Sequence, residues 1–224
     1  MSRTNILLEG YDIDAAWLRE SLGAYIKPEH KVAVIPFAFR DSRVKTAQDW
    51  DGLYSKDSGR FFGGIVGAFA SYGIPADNVT FLNYFIDSKE TARDKIAQAD
   101  ILHFPGGLPD RMMARLAEFE LADALLSHDG IVMGYSAGAV IQLAEYHLSP
   151  DEDYTEFGYY RGIPYLDGFY HEVHFENSEQ QLASIRRVVR ERGKPVYATH
   201  RGKGALIAKD GRVTTLGAVD IFTP

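Results

Sequence analysis

The chain has 224 residues, 46% hydrophobic and 25% charged, which is an ordinary globular balance with length enough for a sizeable core. Its formal net charge of -7 argues against general nucleic-acid binding and against an anionic membrane surface, since both call for clustered Lys and Arg. With no cysteine, disulfides, thiolate metal sites and cysteine nucleophiles are excluded, and the composition fits a cytoplasmic address.

The opening stretch MSRTNILLEGYDIDAAW has no long apolar segment of the signal-peptide kind, and no run approaches a membrane span. NILLEG (5–10) reads as a first buried strand and KVAVIPFA (31–38) as a second. A helical pattern covers 59–73, followed by a strand over 78–85 and a helix over 88–100. ILHFPGG (101–107) is the next strand, then a helix over 110–128 and the strand GIVMGYS (130–136). AGAVIQLAEY continues as a helix. GFYHEVHFEN (168–177) reads as a strand running into a helix cap at Asn177 or Ser178, with Gln180 or Gln181 three residues on. Leu182, Ile185, Val188 and Val189 form that helix's apolar face, and Gly193 with Pro195 ends it. A strand over 195–200 precedes a C-terminal hairpin with Asp210-Gly211 at its turn. Strand–helix alternation predicts one α/β domain over 1–224, a three-layer, doubly wound, mostly parallel sheet closed by that hairpin. Such sheets bind ligands beyond the carboxyl ends of their strands.

GYSAG (134–138) matches the Gly-x-Ser-x-Gly nucleophile elbow at the expected strand–helix junction. The glycines are needed because side chains there would strike the neighbouring strand and helix. Ser136 is the candidate nucleophile, and the Ala137 N–H, helped by the helix dipole, the candidate oxyanion donor. A serine needs a base. His30, His128 and His147 sit in polar segments and read as solvated, and His103 reads as packed within its strand. His174, at a strand's carboxyl end, is the first candidate, and His200 is second choice as base or substrate contact. His171 and His174 point to opposite faces if extended, and HEVH lacks helical zinc spacing, so no metal site is expected. Gly106 and Gly107 would let backbone N–H groups approach a substrate oxygen.

With FPGG, GYSAGA and HF in this order, the chain resembles peptidase family S51, the dipeptidase E and cyanophycinase group, over most of its length. The resemblance implies a flavodoxin-like fold similar to class I glutamine amidotransferase domains, with serine in place of their cysteine. It implies Ser136 as nucleophile, His174 as base, an oxyanion hole from Gly107 and Ala137, no cofactor, and small substrates carrying an aspartyl residue. Two departures stand out. Val140 occupies a position where relatives usually have Asn, and Gly202 aligns where some members place a late catalytic Glu. An orienting acid is therefore sought at Asp151 or Asp153 after the elbow, with Glu172 and Glu176 as weaker candidates. Arg201 and Lys203 could clamp a substrate carboxylate.

The expectation is a serine peptidase of dipeptidase E type cleaving small peptides or isopeptides through an acyl-enzyme on Ser136. Two alternatives stand beside it. One is a non-catalytic sensor or binding domain on the same fold, favoured by the missing late Glu. The other is a general α/β-hydrolase esterase, disfavoured because a whole helix–strand–hairpin segment follows His174. The sequence says nothing of oligomeric state.

Overall fold

Buried strands with apolar residues on both faces pack between helices, and that pattern sets the architecture. The computed structural model describes residues 3–224. β1 (Thr4–Leu8), β2 (Val32–Val34), β3 (Val79–Phe81), β4 (Ile101–Phe104) and β5 (Ile131–Tyr135) form a parallel block in the order β3-β2-β4-β5-β1. β6 (Glu145–Leu148) and β7 (Gly158–Arg161) pair antiparallel as a separate small sheet. β8 (Tyr170–Phe175) pairs parallel with β9 (Val196–Lys209). β9 lies antiparallel to β1 and carries β10 (Arg212–Phe222), also antiparallel, on its other side.

α1 (Ala16–Gly23) and α3 (Phe62–Ala70) cover one face of the sheet, burying Ile6, Leu8, Val34, Ile101 and Met133. α4 (Lys89–Ala97), α5 (Pro109–Glu118) and α6 (Ala122–Ser127) cover the other, over Leu7, Ala33, Leu102 and Val132. Successive residues of one strand thus feed opposite cores, which is why these strands read as continuous apolar runs. Each fully buried Leu, Ile or Val contributes about 1.5–3 kcal/mol relative to exposure. α2 (Ala47–Tyr54) closes a smaller cluster of Phe39, Val44, Trp50 and Tyr54. α8 (Glu179–Arg192) seats Ile185 and Val188 on Tyr170, Phe175 and Val196. No helix among the described residues is long and apolar enough to cross a membrane.

The doubly wound α/β fold agrees with the sequence reading, and several local expectations are corrected. α1 and α2 are additional helices. The helix expected over 110–128 is two. α5 ends in a Schellman motif, Leu121 N–H donating to Leu116 O at 3.1 Å and Glu120 N–H to Ala117 O at 2.9 Å. That places Glu120 at φ 53°, and α6 starts afresh. The helix expected after the elbow is a single turn, α7 (Ala137–Val140). Gln142, wholly buried, donates to the Gly138 and Ile6 carbonyls and accepts from Asn5, and the chain then turns into β6. β9 runs unbroken from 196 to 209, joining the expected strand to the hairpin. Ser178 caps α8, accepting from Gln181 N–H at 3.2 Å, and Gly193 ends it at φ 60°. Asp210 and Gly211 form the hairpin turn with φ of 51° and 72°, as a type I′ turn requires. His128 and His147, expected in solvent, are buried; His147 donates from Nε2 to Glu172 at 2.7 Å.

Two buried imidazoles tie stability to pH. His103 on β4 packs edge-on against Phe69, and burial pushes its pKa down to about 3. Burial, with repulsion from His147 and His174, pushes His171 on β8 down to about 3 as well. Unfolded, both titrate near 6.5, so between about 3 and 6.5 the unfolded chain binds more protons. Stability contributed by the neutral rings is present above pH 6.5 and is lost as pH falls. Each should cost about 2–3 kcal/mol at pH 4.5 relative to neutrality. Thermal melts stepped from pH 7.5 to 4.5 should show a falling Tm, with a shallower slope for His103→Phe. A Tm flat over that interval would contradict this assignment.

Candidate active site

The site forms where strand ends converge. Leu8 pairs with Tyr135, so the residues that follow, Glu9 and Ser136, leave neighbouring parallel strands at one rim. β1 and β8 share one edge of β9: β1 pairs along 205–209 and β8 along 196–200. Because β1 is antiparallel to β9 and β8 parallel to it, their carboxyl ends run toward each other. They meet at the 201–204 segment, just beyond the stretch of β9, Ala198 to His200, opposite which the register of β8 shifts between Glu172 and Phe175. His174 lies in that irregularity with φ 54°, which turns its ring out of the ladder toward β1 and β5.

Ser136 has φ 52° and ψ -116°, the strained conformation of an elbow, and its N–H is held by the Leu8 carbonyl at 3.1 Å. The bracketing glycines are a packing requirement. A Cβ on Gly134 would overlap the Gly138 and Phe104 carbonyls, and one on Gly138 would overlap Phe104 O. The strand, the single turn of α7 and the end of β4 therefore touch backbone to backbone, and the half-buried Ser136 is lifted to the rim.

Ser136 Oγ stands 2.8 Å from His174 Nε2. His174 Nδ1 is hydrogen-bonded to Glu9 Oε1, and the other carboxylate oxygen, Oε2, accepts the Gly202 N–H. A carboxylate can only accept, so Nδ1 carries the proton and Nε2 presents its lone pair to the serine hydroxyl. Glu9 is 4% exposed. Burial alone would raise its pKa, but the bonds from His174 and Gly202, with the charges of His174 and Arg201, hold it below the usual carboxylate range. The side chain is thus ionised at neutral pH. His174 is 39% exposed at its side chain, open enough for water to reach it.

Gly106 lies against Ser136: a methyl there would stand 3.2 Å from Ser136 Cβ. Gly107, at φ 138°, is pressed onto the Ala38 carbonyl, where a side chain has no room. The Ala137 N–H, at the first position of α7, has no intrahelical acceptor. With only four residues, α7 offers this free N–H as a candidate donor but no helix dipole of consequence.

The structure brings Ser136, His174 and the Gly107 and Ala137 loops together; Asp151, Glu172 and Glu176 line a cleft beside His174 but are engaged with other partners. Asp151 Oδ1 closes a loop turn, accepting from Asp153 and Tyr154 N–H at 2.8 Å each, and makes no hydrogen bond to His174. Asp153 pairs with Arg40. Glu172 holds His147 and Ser149, and Glu176 pairs with Arg201 at 2.7 Å. Arg201 shares with His174 a cleft of about 250 Å³. His200 bonds to Asp220 at 3.1 Å and rests its ring on Phe175. His171 points away, to Thr199 Oγ1 at 2.9 Å. Among the described residues no group of three His, Asp or Glu side chains is placed to hold a metal ion. The residue missed in the sequence is Glu9. Its one local signal is a lone carboxylate at the end of the apolar run NILLEG.

Comparison with known proteins gives a family and a fold. Peptidase family S51 matches the chain over residues 18–216. Glu9 lies ahead of that segment. None of the curated proteins matches significantly. Among solved structures, a candidate peptidase E from Listeria monocytogenes EGD-e superposes with a TM-score of 0.68 at 16% identity, covering 97% of this chain and 100% of that one. A peptidase from an acI-B1 Actinobacterium gives 0.65 at 15% identity, covering 100% of this chain and 95% of that one. At such identities the two structures speak for the fold.

The placement of Glu9 makes a direct expectation. Glu9→Gln keeps the size of the side chain but not its charge, and should lower kcat for peptide hydrolysis by about 10²- to 10⁴-fold with little change in Tm. Asp151→Asn should stay within about threefold of the parent. Steady-state kinetics of both variants on one substrate checks the contrast; a larger loss for Asp151→Asn would reverse it.

Proposed function

The chain belongs to peptidase family S51, and from that premise we propose that it is a serine peptidase cleaving small peptides or isopeptides through an acyl-enzyme on Ser136. The observation that carries the reading is the continuous hydrogen-bonded chain Glu9–His174–Ser136. Ser136 Oγ attacks the carbonyl carbon of the scissile amide while His174 Nε2 takes the hydroxyl proton. Negative charge develops on the carbonyl oxygen, and the Gly107 and Ala137 N–H groups are its donors. His174 then gives the proton to the leaving amine and the C–N bond breaks. Water, deprotonated by the same nitrogen, attacks the ester, and the acid product leaves as Ser136 regains its proton. Glu9 fixes the imidazole tautomer and stabilises the imidazolium; Gly202 fixes Glu9. The route uses side chains, backbone N–H groups and water, and the cysteine-free composition suits a cytoplasmic enzyme.

A sensor domain on the same fold has no need of a buried carboxylate held ionised behind a histidine, so the Glu9 arrangement favours hydrolysis. The aspartyl preference has weaker support. Arg201 is the cation in the cleft beside His174, and Glu176 already engages it.

Mass spectrometry of a mixed dipeptide pool, including α- and β-aspartyl forms, tests the reading. Wild type should release amino acids, Ser136→Ala should not, and rapid quenching should trap a covalent adduct on the peptide containing Ser136. Equal cleavage by both proteins would sink the mechanism, and inertness of both would favour the sensor.

A further inference from the structure

A second cavity, of about 580 Å³, opens on the α3 side of the same rim. Part of its wall is made by chain neighbours of the site, the rest by α3 and His103. Tyr11, Asp12 and Asp14 follow Glu9 on the loop leaving β1, and Tyr135 directly precedes Ser136. The cavity and the nucleophile meet at Gly106: a methyl there would stand 2.7 Å from Tyr135 Cε2 and 3.2 Å from Ser136 Cβ. Tyr135 is thus the wall that the cavity shares with the segment carrying Ser136.

The chemistry of the lining is specific. Tyr11, Phe61 and Tyr135 supply aromatic surface, Tyr11 meeting Tyr135 edge-on with ring centroids 6.2 Å apart. Tyr11 and Phe61 are 73% and 42% exposed, large rings left in solvent at the mouth. Asp12 and Asp14 both line the cavity, and among the described residues neither forms an ion pair. Arg60, the cation of the lining, leans over the Phe61 ring at 5.4 Å. His103, 2% exposed at the floor, leaves Nδ1 without a hydrogen-bond partner. Two free carboxylates against one guanidinium, set among aromatic faces, suit an ammonium group attached to an apolar body.

We propose that this cavity is the subsite for the acyl-side residue of the substrate, and that it takes an N-terminal residue with an aromatic or large apolar side chain whose free α-ammonium is held by Asp12 and Asp14. The side chain occupies the space between Tyr11, Phe61 and Tyr135, and the carbonyl emerges past Gly106 onto Ser136. The inference rests on the hydrolase reading for its catalytic consequence, and departs from the aspartyl preference. An aspartyl side chain would bring a third carboxylate beside Asp12 and Asp14.

Binding is measured first, on Ser136→Ala protein, so that the subsite is judged apart from turnover. Titration calorimetry should show L-phenylalaninamide binding at least about tenfold more tightly than N-acetyl-L-phenylalaninamide or L-aspartic acid α-amide, a difference of roughly 1.4 kcal/mol. Asp12→Asn and Asp14→Asn in the same background should erase the preference for the free amine, and Tyr135→Leu should weaken phenylalaninamide. Binding without turnover by wild type on Phe-Ala would retain the subsite and overturn the hydrolase reading. Turnover with equal kcat/KM for free and acetylated peptides, tighter binding of the aspartyl amide, or no binding of phenylalaninamide would overturn the subsite.

Discussion

The whole site hangs on one arrangement of backbone: two strands laid end to end along the same edge of a third. β1 and β8 share β9, and neither pairs with the other. Their carboxyl ends face each other across a gap of a few residues of β9. That gap is where Glu9, His174 and Gly202 meet. In a plain parallel sheet all carboxyl ends line one rim and side by side contacts are all that strands can offer. Here one antiparallel strand lets a fourth segment approach the rim head-on, and the histidine reaches the acid and the serine together.

A second constraint works at closer range. Gly134, Gly138 and Phe104 approach without intervening side chains, so the elbow cannot relax outward. Strain at Ser136 is thereby maintained by packing, and the bond from its N–H to Leu8 ties it to the strand that carries Glu9. Ser136 and Glu9 are set by neighbouring strands of one rigid layer; His174 alone is delivered by an irregular segment. Gln181 steadies that segment, donating to the His174 carbonyl at 3.0 Å and accepting from Glu176 N–H at 2.9 Å.

Much of this is legible in the sequence, for physical reasons that also mark where legibility ends. Strand–helix alternation gives the layered α/β fold because fully buried strands leave uninterrupted apolar runs. Ser136 stands out because close backbone approach demands glycine on both sides. His174 follows from its position at a strand end. Glu9 is hidden because its role depends on strand pairing between residues far apart, and nothing within NILLEG reports that pairing. Gly202, at the late position where the resemblance would place a Glu, holds Glu9 through its N–H. Asp151 attracts attention by nearness in sequence, yet its carboxylate is spent on its own loop. The break between α5 and α6 is equally hidden: Glu120 adopts a left-handed conformation that its residue type does not advertise.

The separations along the chain have a temporal meaning. Glu9 is 165 residues from His174 and 193 from Gly202. Contacts of such long range close large loops, so they form late in folding and cannot form on an unfinished chain. During synthesis the serine emerges and its elbow can pack while β9 is still in the ribosome. The acid then has no N–H to hold it and the histidine no strand to lean on. The molecule is thereby assembled with the Glu9–His174–Ser136 chain of hydrogen bonds incomplete until nearly the last strand is in place, and a truncated or misassembled chain is a chain without it.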